Sequence, residues 1–492
     1  MSNEQTILWH DYETFGLDPQ LDNVSQFAAI RTDLDLNPIG DPIDIICRPT
    51  LDRLPSPEAV LVTRISPLKN KLKGMNEVSF FQKINLEMSK PNTCSTGYNS
   101  LNFDDEVSRN GFFRNFIDPY EREWKNGCSR WDIIDVLRIV DVLKEGTFVV
   151  PLDKETGKKV FKLDQLSVAN GISHENAHDA LSDVYVTIAM AKIIKDKEPE
   201  LFDLFFKQRK KSEIENTLFT KGFGKQKDII FKPFIASSSF FGGDQRFLDV
   251  LYPIYSKGVD LYCIKITKNI EKILELNPEN LKNELFKKKE EMLENETRIP
   301  IHTIKINKCP VILPINYLNK DIADSLGFDG DLVRENIKLI KEKFIEIESK
   351  LKTMFNIPYE DTGIKDVDQK IYSGFFGDSD KAHFERIKQT ESLYLMDYLN
   401  KNKDKFIDER LSEMLFRYIC RNYIEEQDNE TIKKWDEFCL KRITDGLYSL
   451  TFDQYFDRIN ELKIENQEDK EKLSLLKELE IYGNKIKEKL YK

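Results

Sequence analysis

Residues 7–16 read ILWHDYETFG, and this stretch decides the fold of the first third of the chain. The apolar ILW and the residues after it predict a β-strand, which TFG ends in a turn. Residues two apart in a strand point to the same face, so we expect Asp11 and Glu13 to project side by side. The D-x-E pattern alone also fits alternating charge on a solvated strand face. Acidic side chains at the end of an apolar strand are costly to bury without a cation, which favours a metal site.

Two further acidic motifs follow: Asp104 in YNSLNFDDE, and Asp183 in NAHDALSD, which also contains His178. Asp104 is expected to begin a helix, where its carboxylate could either cap backbone N–H groups or bind metal. Asp105 and Glu106 are expected to be solvated acids of the first helical turn.

His178 and Asp183 are five residues apart, about 140° around a helix, so both cannot point in one direction from its middle. With Asn176 as the predicted N-cap, we expect Asp183 on the inward face and His178 on the first turn or the preceding loop. Four converging carboxylates can hold two divalent metals about 4 Å apart, and a nearby histidine can take a proton from water. Such a set is suited to cutting phosphodiester bonds.

The surrounding pattern predicts the architecture. Strands at ILWHDYET, QFAAIRTD, PIDIICRP and TCSTGYN, followed by helices near 76–88, 104–116, 132–143, 163–170 and 177–195, predict an α/β domain with a mixed sheet. A lysine-rich boundary at 207–217 precedes short strands separated by Gly and Ser, which predict a small β-rich barrel with a charged helix near 279–296. From about residue 321 the pattern is helical, ending in an amphipathic segment over 465–492.

Composition excludes several classes of protein. A chain of 492 residues exceeds what one hydrophobic core usually serves, so two or three domains are expected. The sequence has no apolar run of about 18 residues, no leader pattern and no C-x-x-C, so we expect a cytoplasmic protein that does not enter a membrane. The net charge of −11 argues against nonspecific coating of nucleic acid, but residues 201–310 carry more Lys and Arg than Asp and Glu. This basic segment could hold a polyanion.

The three motifs resemble those of the DEDDh 3′→5′ exonucleases, which read D-x-E, N-x-x-x-F-D and H-x-x-x-x-D. Here these are Asp11 with Glu13, Asn99 with Asp104, and His178 with Asp183. The whole chain is also similar to the bacterial exodeoxyribonuclease I family, because HDYETFG, QFAAIRTD, FDDEVSRN, NAHDA, INKCP and GFFGDSD occur in the family's order.

The resemblance implies an α/β ribonuclease-H-like exonuclease domain at 6–195, an SH3-like β-barrel domain at 198–355 and a C-terminal α-helical domain at 358–488. It implies Mg²⁺-dependent 3′→5′ degradation of single-stranded DNA to 5′-mononucleotides, in DNA repair and recombination. Asp11, Glu13, Asp104 and Asp183 would bind two Mg²⁺ ions, for which Mn²⁺ could substitute. His178 would be the general base, and Glu13 would also meet the 3′-terminal nucleotide.

The resemblance also implies the contacts and partners of the protein. Lys162 would bind substrate, although the family has an arginine there, so a bidentate phosphate contact becomes a point charge. A single-stranded-DNA-binding protein is an expected partner, which would dock through its acidic C-terminal tail. The enzyme is expected to be a monomer. The implied DNA contacts are Arg109, Tyr120, Trp124, Arg138, Lys162, Lys211 and Asn307.

The residues themselves leave alternatives open. Cations and aromatic side chains suit single-stranded DNA, but ordinary packing remains an equal interpretation for Tyr120 and Trp124. An RNA-trimming enzyme would use the same catalytic residues, although some 290 residues after the exonuclease region favour a DNA clamp. A non-catalytic strand-binding protein would have no need of all five catalytic positions.

Overall fold

The computed structural model describes residues 4–173, 179–220, 228–243, 246–293, 297–358, 363 and 366–492. The chain forms two compact units. The first comprises Met1–Ser129, His174–Ile188 and Gly363–Lys492, and the second comprises Arg130–Ser173 and Ala189–Thr362. All four carboxylates of the predicted metal site belong to the first unit.

A mixed sheet forms the centre of the first unit. Its strand order is β3-β2-β1-β4, in which β1 is antiparallel to β2 and parallel to β4. The register pairs Glu13 on β1 with Gln26 on β2. Gly97 ends β4 where a Cβ atom would lie 2.6 Å from the His10 carbonyl oxygen, so the close approach of the two strands requires glycine. The strands of the N-terminal third are β1 (Thr6–Thr14), β2 (Val24–Thr32), β3 (Ile43–Ile46), β4 (Thr93–Gly97) and β5 (Ser129–Asp132).

Polar side chains begin the first helices. Ser56, Ser66 and Asn76 each accept a backbone N–H three residues ahead, as N-caps do, and Pro57 and Pro67 occupy the first helical position. The helices of this region are α1 (Pro57–Thr63), α2 (Pro67–Lys73), α3 (Glu77–Met88) and α4 (Asp104–Arg114).

The second unit contains an antiparallel sheet in the order β10-β6-β7-β8-β9. Pro253 lies at a register shift in β7, where a missing backbone donor costs least. The strands are β6 (Phe234–Ser237), β7 (Leu248–Lys257), β8 (Asp260–Lys265), β9 (Ile301–Lys305) and β10 (Val311–Pro314). The helices of this part of the chain are α5 (Ile134–Leu143), α6 (Leu163–Ala169), α7 (Ala180–Lys197, which begins in the first unit), α8 (Pro199–Gln208), α9 (Lys211–Leu218), α10 (Glu271–Glu275), α11 (Pro278–Phe286), α12 (Lys320–Ser325), α13 (Gly330–Glu342) and α14 (Phe344–Asn356).

The C-terminal helices pack into the first unit. Phe15 and Leu54 from the N-terminal region share a buried core with Trp435 and Tyr455, so the two ends of the chain stabilise each other. These helices are α15 (Asp378–Gln389), α16 (Leu395–Asn402), α17 (Arg410–Tyr423), α18 (Asn429–Asp445), α19 (Phe452–Glu465) and α20 (Lys470–Leu490). Short 3₁₀ helices occur at Glu121–Glu123, Lys125–Gly127, Ser239–Phe241, Lys289–Glu291, Ile315–Tyr317, Val367–Tyr372, Ser392–Tyr394, Lys403–Lys405 and Ile424–Glu426.

Buried ion pairs connect the N-terminal region to α17 and α18. Arg421 donates to Asp52 at 2.8 Å and to Asp368 at 3.2 Å, and Arg417 donates to Asp366 at 2.6 Å. Each of these groups is almost fully withdrawn from water, so the charges depend on one another for stabilisation. The members of this buried ion network are Asp52, Asp366, Asp368, Arg417, Arg421 and Arg442.

The structure corrects several predictions. The predicted helix over 132–143 begins two residues later, because Ser129–Asp132 is a strand and Asp132 accepts the N–H of Ile134. The segment 207–217 is largely helical, since it contains the end of α8 and most of α9, and as a domain boundary it stays a prediction. The predicted C-terminal segment over 465–492 is a separate helix, α20, which Asp469 caps. Within the described ranges, the chain has no helix that is long and apolar enough to span a membrane.

Candidate active site

Three carboxylates meet at the end of β1 and the start of α7. Asp11, Glu13 and Asp183 each offer an oxygen, and these oxygens lie within 4.8 Å of one another. Asp11 and Glu13 share a strand face, and Asp183 approaches from α7, where its N–H donates to the Asp179 carbonyl at 3.0 Å. This acidic cluster, defined as Asp11, Glu13 and Asp183, is the one such group found among the described residues.

Asp104 lies beside the acidic cluster. Its Oδ1 accepts the backbone N–H of Tyr12, between the two acids of β1, at 3.1 Å. Asp104 is the first residue of α4, and the position before it, Phe103, makes no side-chain cap. The structure therefore directs this carboxylate to β1 and does not use it as the N-cap, although it stays outside the group of oxygens within 4.8 Å of one another.

Burial and neighbouring negative charge raise the pKa values of the acidic cluster. Burial, together with Asp183, Asp104 and Asp179, raises the pKa of Glu13 to about 9. Burial and the same neighbouring acids raise the pKa of Asp11 well above its usual range. Carboxylates brought this close repel each other unless a cation lies among them. Hard oxygen donors in this number and spacing fit a divalent cation such as Mg²⁺ or Mn²⁺.

Repulsion within the acidic cluster should make the stability of the metal-free protein depend on pH. When folding raises the pKa of a group, its contribution to the free energy of folding is fully favourable below the pKa of the unfolded state. This contribution is lost as the pH rises through the pKa of the folded state. In EDTA, we expect Glu13→Gln to melt at a higher temperature than the wild type, with a difference that grows between pH 5 and pH 9. Thermal melts should show a gap of about 2 °C or more at pH 9. Equal melting temperatures across this range would contradict the proposed repulsion.

Gln26 and Asp179 belong to the site and were missed from the sequence. Gln26 lies opposite Glu13 on β2, and its Nε2 donates to Asp179 Oδ1 at 3.0 Å and to Asp44 Oδ1 at 2.9 Å. Asp179 Oδ2 accepts the N–H of Ser182 at 3.3 Å, so Asp179 caps the described start of α7. The four-residue spacing between Asp179 and Asp183 was the available signal, since such residues share a helix face. His178 and Asn176 lie outside the described residues.

Asp105 and Glu106 are not the solvated acids that the sequence predicts. Asp105 is buried and accepts from Arg122 at 2.7 Å, while Arg122 also donates to Ser95 at 3.1 Å. Glu106 accepts from Arg109 at 2.9 Å. Each acid is therefore paired with an arginine, as a carboxylate withdrawn from water requires.

The implied DNA contacts of the first unit differ in how far they are exposed to solvent. Arg109 is buried, and Glu123 holds its guanidinium through two hydrogen bonds of 2.7 and 3.0 Å. Tyr120 is half-buried, with Arg109 over its ring at 5.4 Å and Phe375 at 5.9 Å, so packing accounts for part of its surface. Trp124 is 65% exposed and presents an open ring.

The implied contacts of the second unit also divide into buried and exposed groups. Arg138 is buried, donates to Asp135 at 2.7 Å and lies 4.3 Å from the Phe247 ring centre. The other three side chains are exposed, and Lys211 lies 3.5 Å from Glu215. These exposed residues are Lys162, Lys211 and Asn307.

His10 lies next to Asp11 on β1 and points to the opposite face of the strand, where it packs as a structural residue. It is buried, its ring stacks on Phe27 at 5.9 Å, and it meets the Tyr12 ring edge-on at 6.0 Å. Burial and the nearby Arg122 lower the pKa of His10 to about 3, so the ring is neutral at physiological pH.

Family models match most of the chain. The model described as Exonuclease matches residues 8–191, the Exonuclease I SH3-like domain matches 209–357, and the Exonuclease I C-terminal domain matches 365–486. The predicted fold class is confirmed: an α/β exonuclease domain with a mixed sheet, an SH3-like domain and a helical C-terminal domain.

Characterised relatives match over their full length. The exodeoxyribonuclease I of Haemophilus influenzae is 36% identical over 490 residues, which cover 99% of this chain and 100% of the relative. That of Escherichia coli is 36% identical over 488 residues, 98% of each chain. The solved structure of E. coli exonuclease I in complex with a dA16 oligonucleotide has a TM-score of 0.89 at 36% identity, and covers 98% of this chain and 100% of that one. A zinc-bound form of the E. coli enzyme with single-stranded DNA has a TM-score of 0.88 at 36% identity, with coverage of 98% and 99%. With its acidic cluster and three matching domains, this chain belongs to the exodeoxyribonuclease I family of exonucleases.

Proposed function

We propose that this enzyme degrades single-stranded DNA from the 3′ end, depends on Mg²⁺ and releases 5′-mononucleotides. The observation that carries the proposal is the acidic cluster, whose oxygens lie within 4.8 Å of one another and whose Glu13 is influenced, within the described part of the chain, by burial and other acids. The E. coli relative in complex with a dA16 oligonucleotide supports single-stranded DNA as the substrate.

Asp11, Glu13 and Asp183 would hold two divalent ions, and Asp104 beside them would complete the set. When bound, such ions neutralise charge on the phosphate and lower the pKa of water. His178 would take a proton from the attacking water, and Glu13 would also orient the 3′-terminal nucleotide. The buried strand β1 keeps Asp11 and Glu13 on one face, so the ligands need little reorganisation when substrate arrives.

The strand would approach over the segment that carries Trp124. Two ion pairs, Arg109 with Glu123 and Arg122 with Asp105, connect this segment to α4, the helix that begins with Asp104. An exposed indole offers a stacking surface for an unpaired base of any sequence. The other proposed contacts are Tyr120, Lys162, Lys211 and Asn307, with Arg109 and Arg138 acting through residues that they hold.

Trp124→Ala should weaken binding of single-stranded DNA while leaving the fold intact, because the ring is mostly exposed. Loss of one stacked base costs about 1–3 kcal/mol, so we expect the dissociation constant to rise about fivefold or more. Fluorescence anisotropy with a labelled oligonucleotide measures this. Tyr491→Ala, another exposed aromatic residue, is the matched control and should bind normally. An unchanged affinity of Trp124→Ala would refute the stacking role.

A time course with end-labelled strands tests the activity. A 3′-labelled DNA should lose its label at once as mononucleotide, whereas a 5′-labelled strand should shorten progressively. EDTA should stop both, and added Mg²⁺ should restore them; a strand-binding protein without catalysis would not respond. An RNA oligonucleotide of the same sequence should be degraded much more slowly, and equal rates would exclude DNA specificity.

We propose three domains, at 6–195, 198–355 and 358–488, which the ranges matched by the three family models support. A monomeric enzyme in the cytoplasm, acting in DNA repair and recombination, would receive its strand from a single-stranded-DNA-binding protein whose acidic tail it binds. Co-purification with that protein, lost when its tail is removed, would test the partnership.

A further inference from the structure

We propose that Gln26 is a positioning residue that sets the metal affinity of the acidic cluster by holding Asp179 and the start of α7. The inference rests on the proposed metal-dependent function and extends it to a residue outside the three motifs. Gln26 is buried, and its side chain is hydrogen-bonded to Asp44, Asp179 and Ala180, so its effect would pass through the residues it binds.

The hydrogen bonds of Gln26 connect β2 to α7. Its Nε2 donates to Asp179 Oδ1 at 3.0 Å, and its Oε1 accepts the N–H of Ala180 at 3.4 Å. One side-chain amide therefore binds both the cap residue and the first residue of the helix. Since β2 pairs with β1 in the register that places Gln26 opposite Glu13, the amide fixes the helix relative to the two acids of the strand.

Asp183 depends on that helix start. Its N–H donates to the Asp179 carbonyl at 3.0 Å, and the Asp179 carboxylate also accepts the N–H of Ser182. A capping side chain that loses its outside partner can turn away, and the first turn of the helix then frays. Asp183 lies in this first turn, so its oxygen would no longer stay within 4.8 Å of those of Asp11 and Glu13.

Gln26 also separates two like charges. Its amide nitrogen lies between Asp44 at 2.9 Å and Asp179 at 3.0 Å, and satisfies an oxygen of each. Asp44 is exposed, and water can solvate it without the amide, whereas Asp179 lies close enough to influence Asp11 and Glu13. The contact with Asp179 is therefore the one that matters for the site.

The experiment compares Mn²⁺ binding by calorimetry with cleavage rates in full-length protein. Gln26→Met keeps the side-chain length and removes the side-chain hydrogen bonds. It should weaken Mn²⁺ binding about tenfold, the low end of the range for residues that orient metal ligands from outside the ligand set. The Mg²⁺ concentration for half-maximal cleavage should rise similarly. Asp44→Ala is the matched control and should stay within about twofold of the wild type. Gln26→Asn, whose amide is too short to reach, should weaken binding in the same direction if Gln26→Met does not fold.

A double-mutant cycle shows whether Gln26 acts through Asp179. Gln26→Met with Asp179→Ala should bind Mn²⁺ no more weakly than Asp179→Ala alone, because coupled residues are not additive. Independent effects, or a Gln26→Met protein with a lower melting temperature but unchanged Mn²⁺ affinity, would overturn the inference. Mn²⁺ binding by a wild type that cleaves nothing would contradict the proposed function and leave this inference standing. No Mn²⁺ binding by the wild type would overturn both.

Discussion

Asp183→Asn is expected to abolish mononucleotide release, with a rate at least 10²–10³-fold lower, the loss that follows removal of one electrostatic group from an active site. The amide has the same shape but cannot supply the negative charge that a divalent ion needs. The backbone of residue 183 is held by Asp179 and Thr187, so α7 should remain intact. Strand binding should largely persist, because the proposed DNA contacts other than Glu13 lie outside the cluster.

Single-turnover cleavage of a 3′-labelled strand measures the rate, and anisotropy in EDTA measures binding. Asp196→Asn, an exposed acid on the same helix, controls for the loss of one charge and should cleave normally. Full activity of Asp183→Asn would refute the metal-ligand assignment. His178→Ala would separate the two catalytic roles: it should bind metal normally and cleave about 10²–10⁴-fold more slowly, the usual contribution of a positioned general base.

Arg421→Met is expected to destabilise the first unit by about 3–5 kcal/mol, because it leaves two buried carboxylates without their shared cation. Arg421 binds Asp52 and Asp368, which are far apart in the sequence. Burial alone would raise the pKa of each acid. Arg421, together with Arg442 near Asp52 and Arg417 near Asp368, outweighs burial and holds both pKa values well below the usual range. The ion network therefore stabilises the fold only while its acids are charged.

The lowered pKa values set the pH dependence. Their stabilising contribution is present above the unfolded pKa of about 4 and is lost as the pH falls below it. Urea unfolding at pH 7 should show the full cost of Arg421→Met, and the gap from the wild type should narrow towards pH 3. Arg334→Met removes an exposed pair with Asp331 and should cost about 0–1 kcal/mol. A cost below 1 kcal/mol for Arg421→Met would show that the network is unimportant.

Local sequence pattern was sufficient to predict which strand and helices carry the acids of the site. The alternation that places Asp11 and Glu13 on one face, and the helical positions of Asp104 and Asp183, depend on consecutive residues alone. Strand and helix periodicity are therefore visible before any folding is known. The family motifs then indicated which acids should converge.

The burial and the hydrogen-bond partner of each polar group depend on tertiary packing between segments that are distant in the sequence. The sequence predicts Asp105 as a solvated acid. In the fold it is buried and paired with Arg122, which lies 17 residues away in the sequence. Gln26 had no visible role, because Asp179 lies 153 residues further along the chain. Arginine is a residue type that suits a phosphate contact, yet Glu123 already binds the guanidinium of Arg109. Charge and hydrogen bonding depend on neighbours in space, and spacing along the chain does not reveal those neighbours.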